Sequence, residues 1–356
     1  MVVVGRWIAF FVALALALPG RTETRYPEVV PGRIFGFPAD HGAHPDYRTE
    51  WWYVTGWLER DGKPLGFQVT FFRSRIAGQD ENPSRFAPRQ ILIAHAALSD
   101  PAHGRLLHDQ RVSRAGFGLA EAAVGEAEVT LDGWRFEQQN DGFRVDIPGR
   151  EFRFDLALRP TQPPLLQGEG GYSRKGPKEG SASYYYSMPH LAVTGTVTRD
   201  GVERPVTGEA WLDREWSSQY MEPEAEGWDW TGINLDDGSA LMAFRMRRKG
   251  GGTVWAGGTI RSANGQVTVL EPGDVEFEPR RVWRSPRSGA SYPVAVTVRA
   301  GSRTIELEPL MDDQENDTRR STGAIYWEGA VRAKEGGREV GRGYLELTGY
   351  ARAMRL

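Results

Sequence analysis

The chain has 356 residues, with 44 Lys and Arg against 47 Asp and Glu; its formal net charge of -3 points to neither a nucleic-acid partner nor an anionic membrane surface. It has no cysteine, which excludes disulfides, thiolate metal sites, thiol catalysis and a lipid-anchored N-terminal cysteine. Hydrophobic residues at 40% and charged residues at 26% are ordinary for a soluble globular protein, and the length exceeds what one core spans, so two domains are expected.

Arg6 precedes an apolar run from Trp7 to Leu18, which ends at Pro19-Gly20. A positive start, a short apolar centre and small residues after it read as a secretory signal peptide over residues 1–22. The run is short for a membrane span, and an uncleaved anchor helix is the alternative. The mature protein is expected to be exported, periplasmic or secreted.

From there the pattern is of strands. Trp51–Leu58 and Leu65–Phe72 flank Asp61-Gly62, and Asp-Gly between apolar runs marks a hairpin because glycine accepts positive φ. An apolar run covers Ile91–Leu98. Strands are expected at Val129–Leu131, Trp134–Gln139, Phe143–Ile147 and Phe152–Leu158, the last with the period of two of a half-buried strand. Leu191–Thr198 and Val206–Leu212 form another hairpin around Arg199-Asp200-Gly201. The style continues at Trp228–Leu235, Ala240–Arg247, Val254–Ile260, Val267–Leu270, Val294–Val298, Thr304–Leu307, Ala324–Val331 and Gly343–Tyr350. No long helical period interrupts it. Many short strands at even spacing imply all-β sandwiches or barrels. Arg73–Gln90 and Pro163–Ser183 are rich in Gly, Pro, Ser and charge, and read as long loops of the kind used as lids. The modules are expected at residues 35–218 and 226–356, joined through Ser217–Gly227.

The chain also repeats itself. Trp52, Thr55, Gly56, Asp61, Gly62 and Leu65 recur as Trp228, Thr231, Gly232, Asp237, Gly238 and Leu241, each 176 positions later. Trp211-Leu212-Asp213 is echoed by Tyr344-Leu345-Glu346. Such self-similarity indicates two related modules in tandem.

His41, His44, His95, His103, His108 and His190 all lie in the first module. His41 and His44 lack the i, i+4 spacing of a zinc-protease helix, and no H-E-x-x-H occurs, so no metal site or cofactor is expected. His103 and His108 read as turn residues. His95 sits in an apolar run and is either a satisfied core histidine or a pocket residue. There is no G-x-S-x-G elbow and no phosphate loop.

Two aromatic–carboxylate clusters remain. Glu50-Trp51-Trp52-Tyr53 opens the first module, and Trp211-Leu212-Asp213-Arg214-Glu215-Trp216 closes it. In a strand Trp211, Asp213 and Glu215 share one face, and Leu212, Arg214 and Trp216 the other. A carboxylate buried in an aromatic pocket would have a raised pKa and suit general-acid work. The alternative is an ion pair of Asp213 or Glu215 with Arg214 or Arg48 that only closes the barrel. Tyr184-Tyr185-Tyr186 and Trp228-Asp229-Trp230 are candidates either for the same pocket or for packing between domains.

These residues resemble a known family. Glu50-Trp51-Trp52-Tyr53 with Thr55-Gly56, Tyr185-Tyr186-Ser187 with Pro189, and Gly208-Glu209-Ala210-Trp211-Leu212-Asp213-Arg214-Glu215-Trp216 are similar to the lipocalin-like AttH and carotenoid 1,2-hydratase (CrtC) family, often labelled "predicted secreted hydrolase". The resemblance runs from about Phe35 to Tyr350. It implies two tandem lipocalin-like antiparallel β-barrels. Some family members hydrate an isolated carotenoid double bond, others shape natural products, and others accompany ABC-type export systems. The hydratases carry histidine after the closing aspartate; here that position is Arg214, and arginine does not shuttle protons at ordinary pH.

Several functions follow as expectations. The first is an exported protein binding a hydrophobic small molecule, lipid or isoprenoid, with a role as accessory to an ABC transporter or other membrane protein that docks on Pro163–Ser183 as a further expectation. Its ligand contacts would come from Glu50, Trp51, Trp52, His95, Tyr185, Trp211, Trp216, Trp228 and Trp230. The second is a hydro-lyase, with Asp213 or Glu215 protonating an alkene and Trp216 or Tyr185 stabilising the cation. The third, a secreted hydrolase, finds no nucleophile–base constellation.

Overall fold

The computed structural model describes residues 24–354, so the signal-peptide reading falls outside the described residues. Every strand pairing is antiparallel, and the only helical pieces among the described residues are two single 3-10 turns, Ala39–His41 and Pro272–Asp274.

The first sheet contains β1 (Thr49–Arg60), β2 (Lys63–Arg75), β3 (Gln90–Ser99), β4 (Leu107–Arg114), β5 (Ala120–Ala122), β6 (Glu128–Leu131), β7 (Trp134–Gln139), β8 (Gly142–Pro148), β9 (Phe152–Arg159), β10 (Leu165–Leu166), β11 (Tyr172–Arg174), β12 (Ala182–Arg199) and β13 (Val202–Gln219). Its order is β4-β3-β2-β1-β13-β12-β9-β8-β7-β6-β5, with β10 and β11 added to β12. The sheet curls until its ends approach, and Arg111 of β4 bridges to Asp132 beyond β6 at 3.1 Å. The result is a nearly closed barrel.

The second sheet contains β14 (Ala225–Leu235), β15 (Ala240–Arg248), β16 (Thr253–Arg261), β17 (Val267–Leu270), β18 (Val275–Arg284), β19 (Ser291–Ala300), β20 (Arg303–Pro309), β21 (Glu315–Thr318), β22 (Ala324–Glu335) and β23 (Arg338–Leu347). Its order is β17-β16-β15-β14-β23-β22-β20-β19-β18, and Arg245 of β15 reaches across to the Phe277 carbonyl of β18 at 2.9 Å. Two tandem lipocalin-like barrels are thus the fold. β4, β5, β18 and β21 fall outside the expected strands, β10 and β11 lie inside the expected loop Pro163–Ser183, and His108, expected in a turn, lies within β4.

Each barrel has its own apolar core, and a third apolar cluster joins them, built from Tyr53, Trp57, Tyr185, Trp211, Trp230, Met242, Phe244 and Tyr344. The barrels therefore pack through the outer faces of β1 and β13 on one side and of β14, β15 and β23 on the other.

The repeat is real but shifted by one. Tyr53 stands opposite Asp213, as Trp230 stands opposite Glu346, so Tyr53 corresponds to Trp230 and Trp51 to Trp228. The cause is the turns. Asp61-Gly62 is a two-residue turn with both φ positive, at 52° and 73°, closed by the Arg60–Lys63 pair. The second hairpin turns over three residues, Asp236-Asp237-Gly238, closed by Leu235 N to Ser239 O at 2.9 Å. A strand alternates with period two, so a one-residue offset reverses every side chain. Trp52 lies in the first core, whereas its sequence match Trp228 faces the other barrel. The second echo keeps register: Trp211 and Asp213, like Tyr344 and Glu346, all face the interface.

A β-carbon at Gly232 would stand 2.7 Å from the Trp230 ring and 2.9 Å from the Trp211 ring. Gly232→Val should wedge the barrels apart, with a loss of about 1–3 kcal/mol. Urea unfolding should then divide into two transitions; a single transition at the wild-type midpoint would show that this contact does not couple the barrels.

Candidate functional site

Strand alternation decides what faces what. On β13, Trp211, Asp213 and Glu215 point toward the second barrel and Leu212, Arg214 and Trp216 point into the first. Pairing extends this into rows. His95, Thr70, Tyr53, Asp213 and Ser187 stand opposite one another across β3, β2, β1, β13 and β12. The next row holds Phe72, Trp51, Glu215 and Tyr185. The second barrel answers with Trp230, Glu346 and Glu328 across β14, β23 and β22. Between these rows lies a cavity of about 80 Å³, walled also by Tyr220, Trp228 and Tyr326.

Asp213 is 3% exposed. Its Oδ1 accepts hydrogen bonds from Ser187 Oγ at 2.5 Å and Trp211 Nε1 at 2.7 Å, and its Oδ2 accepts one from Tyr185 Oη at 2.7 Å. Tyr185 Oη accepts in turn from Trp230 Nε1 at 3.1 Å. Burial pushes the carboxyl up to about 7; the three hydrogen bonds favour the anion but do not offset the loss of water.

Glu215 accepts from Ser183 Oγ and pairs with Lys175 Nζ at 2.9 Å. Burial raises the Glu215 pKa and lowers that of Lys175, and each charge resists the other's shift. Lys175 also stands over the Tyr185 and Phe244 rings, at 4.7 and 4.3 Å. It comes from the long loop Pro163–Ser183. That loop is held against this chain's second barrel, by Gly168 N to Thr259 Oγ1 at 3.2 Å and by Arg174 over Trp255 at 4.3 Å. It brings a cation to Glu215.

Glu346 and Glu328 are direct cross-strand partners. Trp228 Nε1 donates to Glu346 Oε2 at 2.8 Å, and burial pushes Glu346 up to about 7. Glu328 is raised well above the ordinary carboxylate range, by burial and then by Glu346; the flanking Tyr53 and Tyr326 hydroxyls only moderate this. Its Oε1 is buried without an aligned hydrogen-bond donor. Like charges directly opposite in a buried row repel, so the pair retains a proton near neutrality. Among the described residues, no three His, Asp or Glu side chains converge as a metal site.

His95 stands behind the wall. Its Nδ1 is 3.0 Å from Tyr326 Oη and its Nε2 is 2.9 Å from Ser321 Oγ, and burial lowers its pKa to about 3, so it braces Tyr326 as a neutral ring.

Three expected site residues, Glu50, Trp52 and Trp216, face the first barrel's core instead, because they alternate with the cavity-facing positions of their strands. Glu50 is 0% exposed and ion-paired with both Arg73 and Arg214. Arg214 Nη2 also donates to the Gly42 carbonyl at 2.6 Å, and its guanidinium lies 4.0 Å over the Trp52 ring. The ion pair weighed for Asp213 or Glu215 with Arg214 is therefore replaced by Arg214–Glu50. His44 stacks on Trp216 at 3.7 Å, and His41 Nδ1 is 2.6 Å from Tyr186 Oη. The segment before β1 thus plugs the barrel, and side chains fill it. Arg214 is a structural cation on the face away from Asp213.

Trp51, Tyr185, Trp211, Trp228 and Trp230 do converge with Asp213 and Glu215. Lys175, Tyr220, Tyr326, Glu328 and Glu346 were not expected there. Only Glu346 had a sequence signal, its place in the echo of Trp211-Leu212-Asp213.

The two carboxylate sets have opposite pH signs. Burial would raise Glu50, but Arg214 and Arg73 hold it well below the ordinary range, so its stabilisation is present above pH 4.5 and is lost on acidification. Glu50→Gln strands two guanidiniums and should cost about 3–5 kcal/mol at neutral pH in urea titrations. Asp213 is raised from 3.8 to about 7, so its contribution is full below pH 3.8 and is lost as pH rises through about 7. Asp213→Asn should therefore gain on wild type by about 4 kcal/mol in all as pH rises from 3.8 to beyond 7, about 2–3 kcal/mol of it between pH 5 and 8. A pH-independent difference would contradict the buried acid.

The AttH-like family model matches residues 28–350. No curated protein matched the sequence. A candidate AttH from Nitrosomonas europaea has a solved structure with 55% identity and TM-score 0.86, covering 91% of this chain and 99% of that one. Kievitone hydratase from Nectria haematococca has the same fold, with 15% identity, TM-score 0.68 and coverage of 92% and 96%. CghA is a more distant fold relative, with 14% identity, TM-score 0.53 and coverage of 90% and 94%. Sequence and structure agree on one assignment: the chain belongs to the AttH-like family.

Proposed function

We propose that this protein is an acid–base catalyst acting on a small, largely apolar molecule held between the barrels, and that the reaction is hydration or dehydration. The observation that carries this is Asp213, buried among aromatic rings and held by Tyr185, Ser187 and Trp211, where loss of water raises its pKa toward neutrality. A general acid works best with its pKa near the ambient pH. Asp213 gives its proton to one carbon of a double bond. The Trp230, Trp51 and Tyr185 rings stabilise the cation. Water adds its oxygen to the other carbon, and the proton that water sheds passes to Glu346 or returns to Asp213. Dehydration is the reverse. The kievitone hydratase that shares the fold is, by name, a hydratase, and this chemistry is of that class.

A lipid carrier is the weaker reading. Carrier pockets, like other ligand pockets, are walled mainly by apolar side chains with few polar groups. Here the first barrel is filled by its own side chains, and the space between the barrels is about 80 Å³ with four carboxyl groups around it. Export on the N-terminal apolar segment belongs to this proposal and fits a substrate met outside the cytoplasm.

The test uses oxygen-labelled water. Wild-type protein is incubated in it with an isoprenoid and lipid extract, and products are followed by mass spectrometry. Label should enter one product, at a rate that falls as pH rises through about 7, because the acid form is lost. Asp213→Asn should slow this about 100-fold or more while native mass spectrometry shows the same bound molecule. Undiminished turnover in Asp213→Asn would remove Asp213 from the chemistry.

A further inference from the structure

The net charge near zero conceals a local feature at one end of the first barrel. β1 and β3 start at that end, and β2 and β4 finish there, so the 76–89 connection and the segment after β4 both emerge from it. Their tips carry apolar side chains that fold into nothing. Phe86 is 60% exposed, Phe117 49% and Leu119 48%. Phe86 and Phe117 stack on each other, 5.3 Å apart at 9°. Arg114 lies 4.4 Å from the Phe117 ring centre, with Arg85 over the same ring at 5.8 Å. Asp80 of the same connection is already paired with Arg75.

The other exposed apolar side chains include Ile34 and Phe37 before β1, Val124, and Val267 and Val269 of β17; Phe37 packs on His41 and Tyr186. A stacked aromatic pair on loop tips, collared by guanidiniums, is a different arrangement. A flat protein partner is met by a broad face. Projecting tips suit a soft medium that they enter by one side-chain length, with arginine stems lying along apolar surface and their heads at the level of anionic headgroups.

The position adds a reason. A groove of about 350 Å³, lined by Tyr26, Ile76, Ala77 and Met221 among others, opens at this same end and shares Thr49 and Tyr220 with the cavity at Asp213. We infer that the Phe86–Phe117 rim is a membrane-docking surface for a bilayer bearing anionic phospholipids, set where an apolar molecule leaving the bilayer would enter the groove. The docking stands apart from the chemistry of Asp213 and can fail or hold without it.

The absence of cysteine makes the test direct. Leu119→Cys in the full chain is labelled with an environment-sensitive fluorophore, and Val269→Cys on the second barrel serves as the reference position. Both are mixed with vesicles of phosphatidylcholine alone or with phosphatidylglycerol. The label at 119 should shift to the blue on phosphatidylglycerol vesicles, with at least tenfold weaker binding to phosphatidylcholine alone, and the label at 269 should not respond. Phe86→Ser with Phe117→Ser in the 119 background should abolish the shift. A silent label at 119, equal shifts at 119 and 269, or a shift that survives the double substitution would overturn the inference. Gly78 N of this connection donates to Thr24 Oγ1 at 2.8 Å, so membrane affinity of the N-terminal apolar segment would also bring position 119 near the bilayer, but that response would survive the double substitution.

Discussion

The packing of one barrel's outer face on the other's is the contact on which the site depends. Each barrel closes its own apolar core, so neither needs the other for its interior. What the contact does is take Asp213, Glu215, Glu328 and Glu346 out of water together. Ionising four carboxyl groups in one small low-dielectric space costs far more than their hydrogen bonds return. The chain relieves this in two ways. Glu215 receives a cation, Lys175, from a long connection. The others take up protons, so the interface holds acids where a surface would hold anions.

The duplication explains why acids meet acids. Asp213 and Glu346 occupy corresponding places in their barrels, each beside an aromatic on the neighbouring strand, Tyr53 and Trp230. When two copies of a module pack through the same face, a feature on that face meets its own counterpart. The copies have since diverged in their interiors. The first is plugged by the segment before β1 and tied by Glu50, Arg73 and Arg214, whereas the second is filled by aliphatic residues with Trp327 and Tyr292.

Much of this was legible in the sequence, for identifiable reasons. Period-two alternation and Asp-Gly turns marked most strands, and the alternation on β13 correctly separated Asp213 and Glu215 from Arg214. What failed did so where local pattern carries no information. Glu50, Trp52 and Trp216 are neighbours in sequence of true cavity residues, but adjacent strand positions face opposite ways. The single added residue in the Asp236-Asp237-Gly238 turn moved the repeat by one and reversed the expected match of Trp52 to Trp228. Lys175 reaches Glu215 from a long connection and Glu328 reaches the cavity from a distant strand, and neither placement leaves a mark on the residues beside them.

The central claim is that carboxyl groups between the barrels are protonated near neutral pH, and infrared spectroscopy reads that directly. A protonated buried carboxyl has a carbonyl stretch well separated from the carboxylate bands. Difference spectra of the wild-type protein across pH 5 to 9 should show such a band at pH 6, part of it titrating near pH 7 and missing from Asp213→Asn. Spectra with no protonated-carboxyl band above pH 5, or a band that Asp213→Asn leaves whole, would contradict the account.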